Sequence, residues 1–201
     1  MLTFVETGRL DPKMAAVLAR LIERLGPLYT TQAVKLPYLV DVIAKHILGA
    51  ALTRATYEAW GLGVVAKEVY TFVNYDDPGP LFTVTSHQRN GERLGLAGDS
   101  PAENELTECE LEIVDFVAEE YGRINVDQLG KITKRMNTEI PPEEWGDNAP
   151  ALLDEEAYLR LNPQWQGLCE TIRRVDLDDR TKWSEPIEND PLAYFRRAMN
   201  G

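Results

Sequence analysis

The stretch "GLGVVA", residues 61–66, is the first place where residue types and spacing point to chemistry. It fits G-x-G-x-x-G/A, the pattern of a loop whose backbone amides cradle a dinucleotide pyrophosphate, and the acidic pair Asp76 and Asp77 follows an apolar run. That chemistry needs a strand before the glycines, a helix opening on them and a second strand ending in the acid about 20 residues on. Here "TRATYEAW" is a poor buried strand, and only a handful of residues separate Gly63 from "VYTFVNYDD", too few for a crossover helix. The letters match the fingerprint and the context does not. The mechanical reading is stronger: Gly61 and Gly63 supply a turn with positive φ, or a close backbone approach, in a hinge between two packed helices.

Other chemistries find less. The two histidines, His46 and His87, lie on a helix face and before a hairpin turn, and no H-x-x-x-H, C-x-x-C or G-x-S-x-G occurs. Glu108 with Glu112 and Asp115 with Glu119 stand at i and i+4 on the polar side of a helix, which suits a solvated face better than an acid–base pair. The two cysteines, Cys109 and Cys169, read as reduced thiols of a cytoplasmic protein. The expectation is a chain with no catalytic centre, no cofactor and no metal. Aromatic residues are more informative. Tyr38, Tyr57, Trp60 and Tyr70 gather around the glycine turn, either as core filling or as the rim of a groove for a partner protein.

The bulk properties fit a soluble globular protein: 201 residues, 44% hydrophobic and 27% charged. No apolar run is long enough for a membrane span, and the opening "MLTFVETGRLDPK" does not read as a signal peptide. The net charge of −12 is local. Residues 101–155 hold 15 acids against 4 bases. That disfavours phosphate-backbone binding and suits either a basic protein partner or a solvated face.

The elements that must position these residues are mostly helical. "DPKMAAVLARLIERLG" reads as a helix capped by Asp11, opened by Pro12 and stopped at Gly26. "TTQAVKLPYLVDVIAKHILGA" is apolar nearly all round and therefore central. Its Pro37 would break a helical hydrogen bond unless the helix starts only near Val34 to Leu36. "TRATYEAW" reads as a short helix, and "KEVYTFVNY" as helical at first with strand-favouring residues after. "LFTVTSHQRNGERLGLAG" predicts a β-hairpin turning at Asn90-Gly91. "LTECELEIVDFVAEEYG" carries a capping box, Thr107 with Glu110, and an apolar stripe of Leu111, Val114, Val117 and Tyr121. "NVDQLGKITKRMN" is a short helix capped by Asn125. After a proline- and acid-rich stretch, "NPQWQGLCETIRRVD" and "DPLAYFRRAMN" each open like a helix, in a tail holding Trp165 and Trp183. The prediction is a mainly α (α-rich α+β) fold: a compact helical domain over 1–140 with a small antiparallel β-hairpin, then an acidic linker and helical C-terminal extension over 141–201.

In this order and spacing, Lys35-Leu36-Pro37-Tyr38, Gly49, Leu52-Thr53, Ala59-Trp60, Gly63-Val64-Val65 and Glu68-Val69-Tyr70 resemble the motif set of the Panacea (SocA-like or GepA-like) antitoxin domain of bacterial and phage toxin–antitoxin systems. "LTECELEIVDFVAEEYGRINVDQLGKIT" is similar to the family's later helix pair. Pro37 and Val64 depart from the usual Leu and Pro. The resemblance implies an α-rich fold and a non-enzymatic antitoxin that binds a cognate toxin protein, with Lys35, Tyr38, Tyr57, Trp60, Gly63, Glu68 and Tyr70 as scaffold or partner-binding residues. It also implies an alternative, an adaptor that delivers the toxin to a ClpXP-type protease. From the residues alone, the two helices over 107–121 and 125–136 offer a third role, a DNA-binding autoregulator. Among many acids, the second helix brings only Lys131, Lys134 and Arg135 to that task.

Overall fold

The computed structural model describes residues 10–75, 77–87, 91–136 and 164–183. The chain runs α1 (Pro12–Leu25), β1 (Leu28–Tyr29), α2 (Thr30–Leu48), β2 (Tyr57–Trp60), β3 (Gly63–Ala66), α3 (Lys67–Tyr75), β4 (Phe82–His87), β5 (Gly91–Leu96), α4 (Ala102–Glu105), α5 (Glu108–Tyr121), α6 (Val126–Arg135) and α7 (Trp165–Trp183). The fold is mainly α with small β elements, as the sequence predicts.

Helix α2 is the centre. Its residues from Ala33 to Ala44 are buried without a break, and it packs against α1, α3, α5, α6 and three strands. Pro37 lies inside it, because the helix starts at Thr30 rather than near Val34 to Leu36. Tertiary contacts fix that start. Tyr29 pairs with Arg93 of β5 in the strand before it. The Gln32 side chain then accepts from the Tyr29 amide at 2.9 Å and donates to the Gly122 carbonyl at 2.7 Å. These contacts outweigh the ladder bond that Pro37 cannot donate.

Local signals hold elsewhere. The Lys13 amide donates to Asp11 at 3.0 Å, and Gly26 ends α1 at φ 77°. Thr107 and Glu110 exchange the bonds of a capping box at 2.8 and 3.3 Å. The buried face of α5 is Ile113, Val114, Val117, Ala118 and Tyr121, with Leu111 only half-buried. Strand β5 lies between β1 and β4. Phe82 faces Leu96 and Val84 faces Leu94, the predicted alternation. The turn differs: Gly91 pairs with His87 and so begins the return strand, while Asn90 lies outside the described residues.

Two further elements differ from expectation. Tyr57–Trp60 is a strand, not a short helix, and it pairs with Gly63–Ala66 as a second antiparallel hairpin. Lys67–Tyr75 is helical throughout, burying Val69, Phe72 and Val73 at helical spacing. In the tail, "DPLAYFRRAMN" and the expected cap at Asn162-Pro163 lie outside the described residues. Helix α7 is present, and Trp165 is fully buried in the common core, where its ring nitrogen donates to the Tyr121 hydroxyl at 3.1 Å.

The acidic α5 is partly matched inside the molecule. Arg20 of α1 grips Asp115 with two bonds of 2.7 Å, Lys13 reaches Glu110 at 2.5 Å, and Arg24 approaches Asp115 and Glu119 at 3.4 Å. The pair of Asp115 and Glu119 is thus one side of an α1–α5 ion-pair ladder, not a fully solvated face. Because the Arg20–Asp115 contact is bidentate and four-fifths buried, Asp115→Ala is expected to lower unfolding stability by roughly 1–2 kcal/mol. Urea unfolding measures it, and 1 M salt should shrink the difference.

Candidate functional site

Most residues of the predicted site surround the β2–β3 hairpin, in two layers. The inner layer is polar and buried. Helix α2 carries three groups that cannot reach water: Lys35, Tyr38 and Asp41. The Asp41 carboxylate accepts from the amides of Leu52 and Thr53, both at 2.9 Å, from the Thr53 hydroxyl, and from the Tyr57 hydroxyl at 2.6 Å. Burial pushes the Asp41 carboxyl above its ordinary range, against the pull of those donors. Burial, and then the Asp41 charge, hold the Tyr57 hydroxyl well above its own. The Tyr57 ring meets Tyr38 edge-on at 5.0 Å, and Tyr38 donates to the Met136 carbonyl at 2.8 Å. One carboxylate therefore pins the loop before β2 and the first residue of the strand.

Lys35 does the corresponding task for β3. Its ammonium donates to the Val64 carbonyl at 2.9 Å while the residue is only 2% exposed. Burial, with a smaller contribution from the charge of Lys134, lowers its pKa to about 8. The Val64 amide donates to the Thr133 hydroxyl of α6 at 3.3 Å, and that hydroxyl donates to the Gly130 carbonyl at 3.0 Å. Lys134 donates to the Gly61 carbonyl at 2.9 Å.

The contact between hairpin and α6 is too close for side chains. A Cβ on Gly63 would stand 2.5 Å from the Thr133 hydroxyl and 2.7 Å from the Gly130 carbonyl oxygen, and one on Gly130 would stand 2.5 Å from the Leu62 carbonyl oxygen. Gly63 also has φ 105°. Gly61 has open space around it and no positive φ. The predicted close approach is real at Gly63. However, the two glycines flank the turn of a hairpin rather than a hinge between two helices, and only one of them needs to be glycine.

The outer layer is aromatic. Trp60 meets Tyr70 edge-on at 4.7 Å, and Tyr70 meets Tyr75 at 6.2 Å. Trp60, Leu62 and Tyr75 are exposed, by 37%, 66% and 75%. Glu58 accepts from the Trp60 ring nitrogen at 3.1 Å and from Lys67 at 2.6 Å, and Glu68 accepts from the Thr56 amide at 2.9 Å. The structure thus separates the predicted set. Lys35, Tyr38, Tyr57 and Gly63 build the frame, whereas Trp60 is exposed on the half-buried Tyr70 and Glu68 braces the strand entry. Asp41 and Thr133 were missed by sequence reasoning. The signal for Asp41 was a lone acid in an otherwise apolar helix, and nothing local marks Thr133.

Residues 34–138 match the family model described as antitoxin SocA-like, Panacea domain. The chain belongs to that family. Every residue of the two layers falls inside the matched span of this Panacea domain, which has an antitoxin role in general and a toxin as its partner. Comparison with curated proteins and with solved structures gives no significant match. No described helix is long and apolar enough to cross a membrane, and no described group of three or more His, Cys, Asp or Glu is placed to hold a metal. "GLGVVA" runs from turn into an antiparallel strand, not from a strand into a helix, so this stretch is not the glycine loop of a βαβ unit.

Two outcomes follow. Gly63→Ala is expected to lower stability by about 2 kcal/mol or more and Gly61→Ala to change it by less than about 0.5 kcal/mol, both read from urea midpoints. Lys35→Met isolates the buried ammonium. Between pH 8 and 10.5 unfolded Lys35 holds a proton that the folded chain has released, so raising pH through that window favours the folded state. Wild-type stability should therefore rise relative to Lys35→Met by roughly 3 kcal/mol between pH 7 and 11.

Proposed function

We propose that this chain is a non-enzymatic antitoxin that neutralises its cognate toxin by direct protein–protein binding. The observation that carries the reading is the pair of exposed aromatics Trp60 and Tyr75, each packed on the half-buried Tyr70, with exposed Leu62 in the turn after Trp60, all inside the family-matched span. Solvent-facing Trp and Tyr on a fixed backbone make strong anchors, because they bury large area with little entropy to lose. The net charge of −12 favours a basic partner and opposes binding to a phosphate backbone. In α6, Lys134 is engaged on the Gly61 carbonyl, leaving Lys131 and Arg135 as the exposed cations of that helix, a thin basis for gripping DNA.

Co-expression with the product of the neighbouring gene tests the reading. That product should be toxic alone, harmless with this chain, and should co-purify with it. A product that is harmless alone and does not co-purify contradicts the proposal. Its level should be unchanged in cells lacking a ClpXP-type protease, whereas a rise there would replace sequestration with the adaptor role.

A further inference from the structure

The two edges of the β2–β3 hairpin are treated differently. The Lys67 amide donates to the Thr56 carbonyl at 3.2 Å, and the register pairs Trp60 with Gly63 across a two-residue turn. The alternation of an antiparallel pair then makes Glu58–Val65 and Trp60–Gly63 the hydrogen-bonded pairs. It turns the amide and carbonyl of Val64 outward on one edge and those of Tyr57 and Ala59 outward on the other. On the β3 edge, Thr133 and Lys35 take both Val64 groups. On the β2 edge, no described residue bonds the outward groups of Tyr57 or Ala59. An open strand edge is a template for pairing with another chain.

The surroundings indicate what would pair. Trp60 and Tyr75 are exposed on either side of the half-buried Tyr70 ring, and aromatic faces attract cations. Glu92 of β5 lies close enough to act electrostatically on Tyr70, and its Oε2 is buried with no hydrogen-bond partner among the described residues. Lys67 is engaged on Glu58 and Lys134 on the Gly61 carbonyl, while Arg54 before β2 and Lys131 of α6 are exposed. The charge of −12 belongs largely to residues 101–155, so the preference for a cationic occupant at this edge rests on the exposed rings and on Glu92.

We infer that β2 is a docking edge: an extended segment of the toxin adds as a strand along Tyr57–Trp60 and seats a Lys or Arg side chain over the exposed rings of Trp60 and Tyr75, within the field of Glu92. This rests on the direct-binding reading above and specifies its mode. Ala59→Pro is the discriminating variant. It removes the outward donor at a position outside the hairpin's own ladder, where an edge strand tolerates proline.

Amide hydrogen exchange and affinity are measured on the full chain, alone and with the neighbouring gene's product. The expected result is fast exchange at the Ala59 amide in the free chain and protection in the complex. Ala59→Pro and Glu92→Gln should each weaken binding tenfold or more with an unchanged circular dichroism spectrum. A complex that leaves the Ala59 amide exchanging overturns the inference while direct binding stands, even if Ala59→Pro misfolds. Protection in the free chain at low concentration overturns it in favour of the chain's own segments, and protection that grows with concentration favours a second copy. Absence of any complex overturns the direct-binding reading and the named occupant together.

Discussion

The structure depends on how one buried helix satisfies its polar groups. Helix α2 is enclosed over twelve consecutive residues, so Lys35, Tyr38 and Asp41 must find partners within the protein. A buried polar group without one costs free energy on the order of 1–3 kcal/mol, and a buried charge costs more. The partners of all three lie on or beside the second hairpin: the Val64 carbonyl, the Met136 carbonyl, and the donors of Leu52, Thr53 and Tyr57. The polar groups of the core therefore fix where the hairpin sits, which apolar packing alone would leave less defined.

From that anchor the rest follows. With β3 held on α2, it also packs on α6, and the approach is close enough that Gly63 and Gly130 each meet a backbone oxygen at a distance that excludes a Cβ. Helix α6 closes the β3 edge through Thr133. Helix α3 leaves β3 directly and brings Tyr70 beneath Trp60. The outer aromatic face is thus a consequence of the inner polar frame. It is a rigid surface because the strand beneath it is fixed at both ends, by Asp41 on Tyr57 and by Lys134 at the turn.

Much of this was legible in the sequence, and the pattern of success has physical causes. Asp11, Gly26, Thr107 with Glu110, and Asn125 act within one turn of their own helix, so local rules located them. The strand at Tyr57–Trp60 escapes local rules because Gly61 and Gly63 resemble a break between helices. Tyr57, Trp60, Val64 and Val65 favour strand, and pairing plus burial against α2 decided the outcome. Pro37 pointed to a later helix start, but contacts from Gly122 and β5 fixed the start at Thr30. At the site, composition singled out the aromatics and spacing singled out Gly63. The split into frame and face was invisible, since it depends on contacts such as Tyr38 with Met136, which are 98 residues apart.

A structure of this chain bound to its toxin tests the account most directly. The account predicts a toxin segment running as an added strand along Tyr57–Trp60, with Asp41 and Lys35 keeping their partners beneath it. A complex in which the toxin rests only on the acidic surface of α5 or on α7, with the hairpin edge and the Trp60 face left bare, would contradict it.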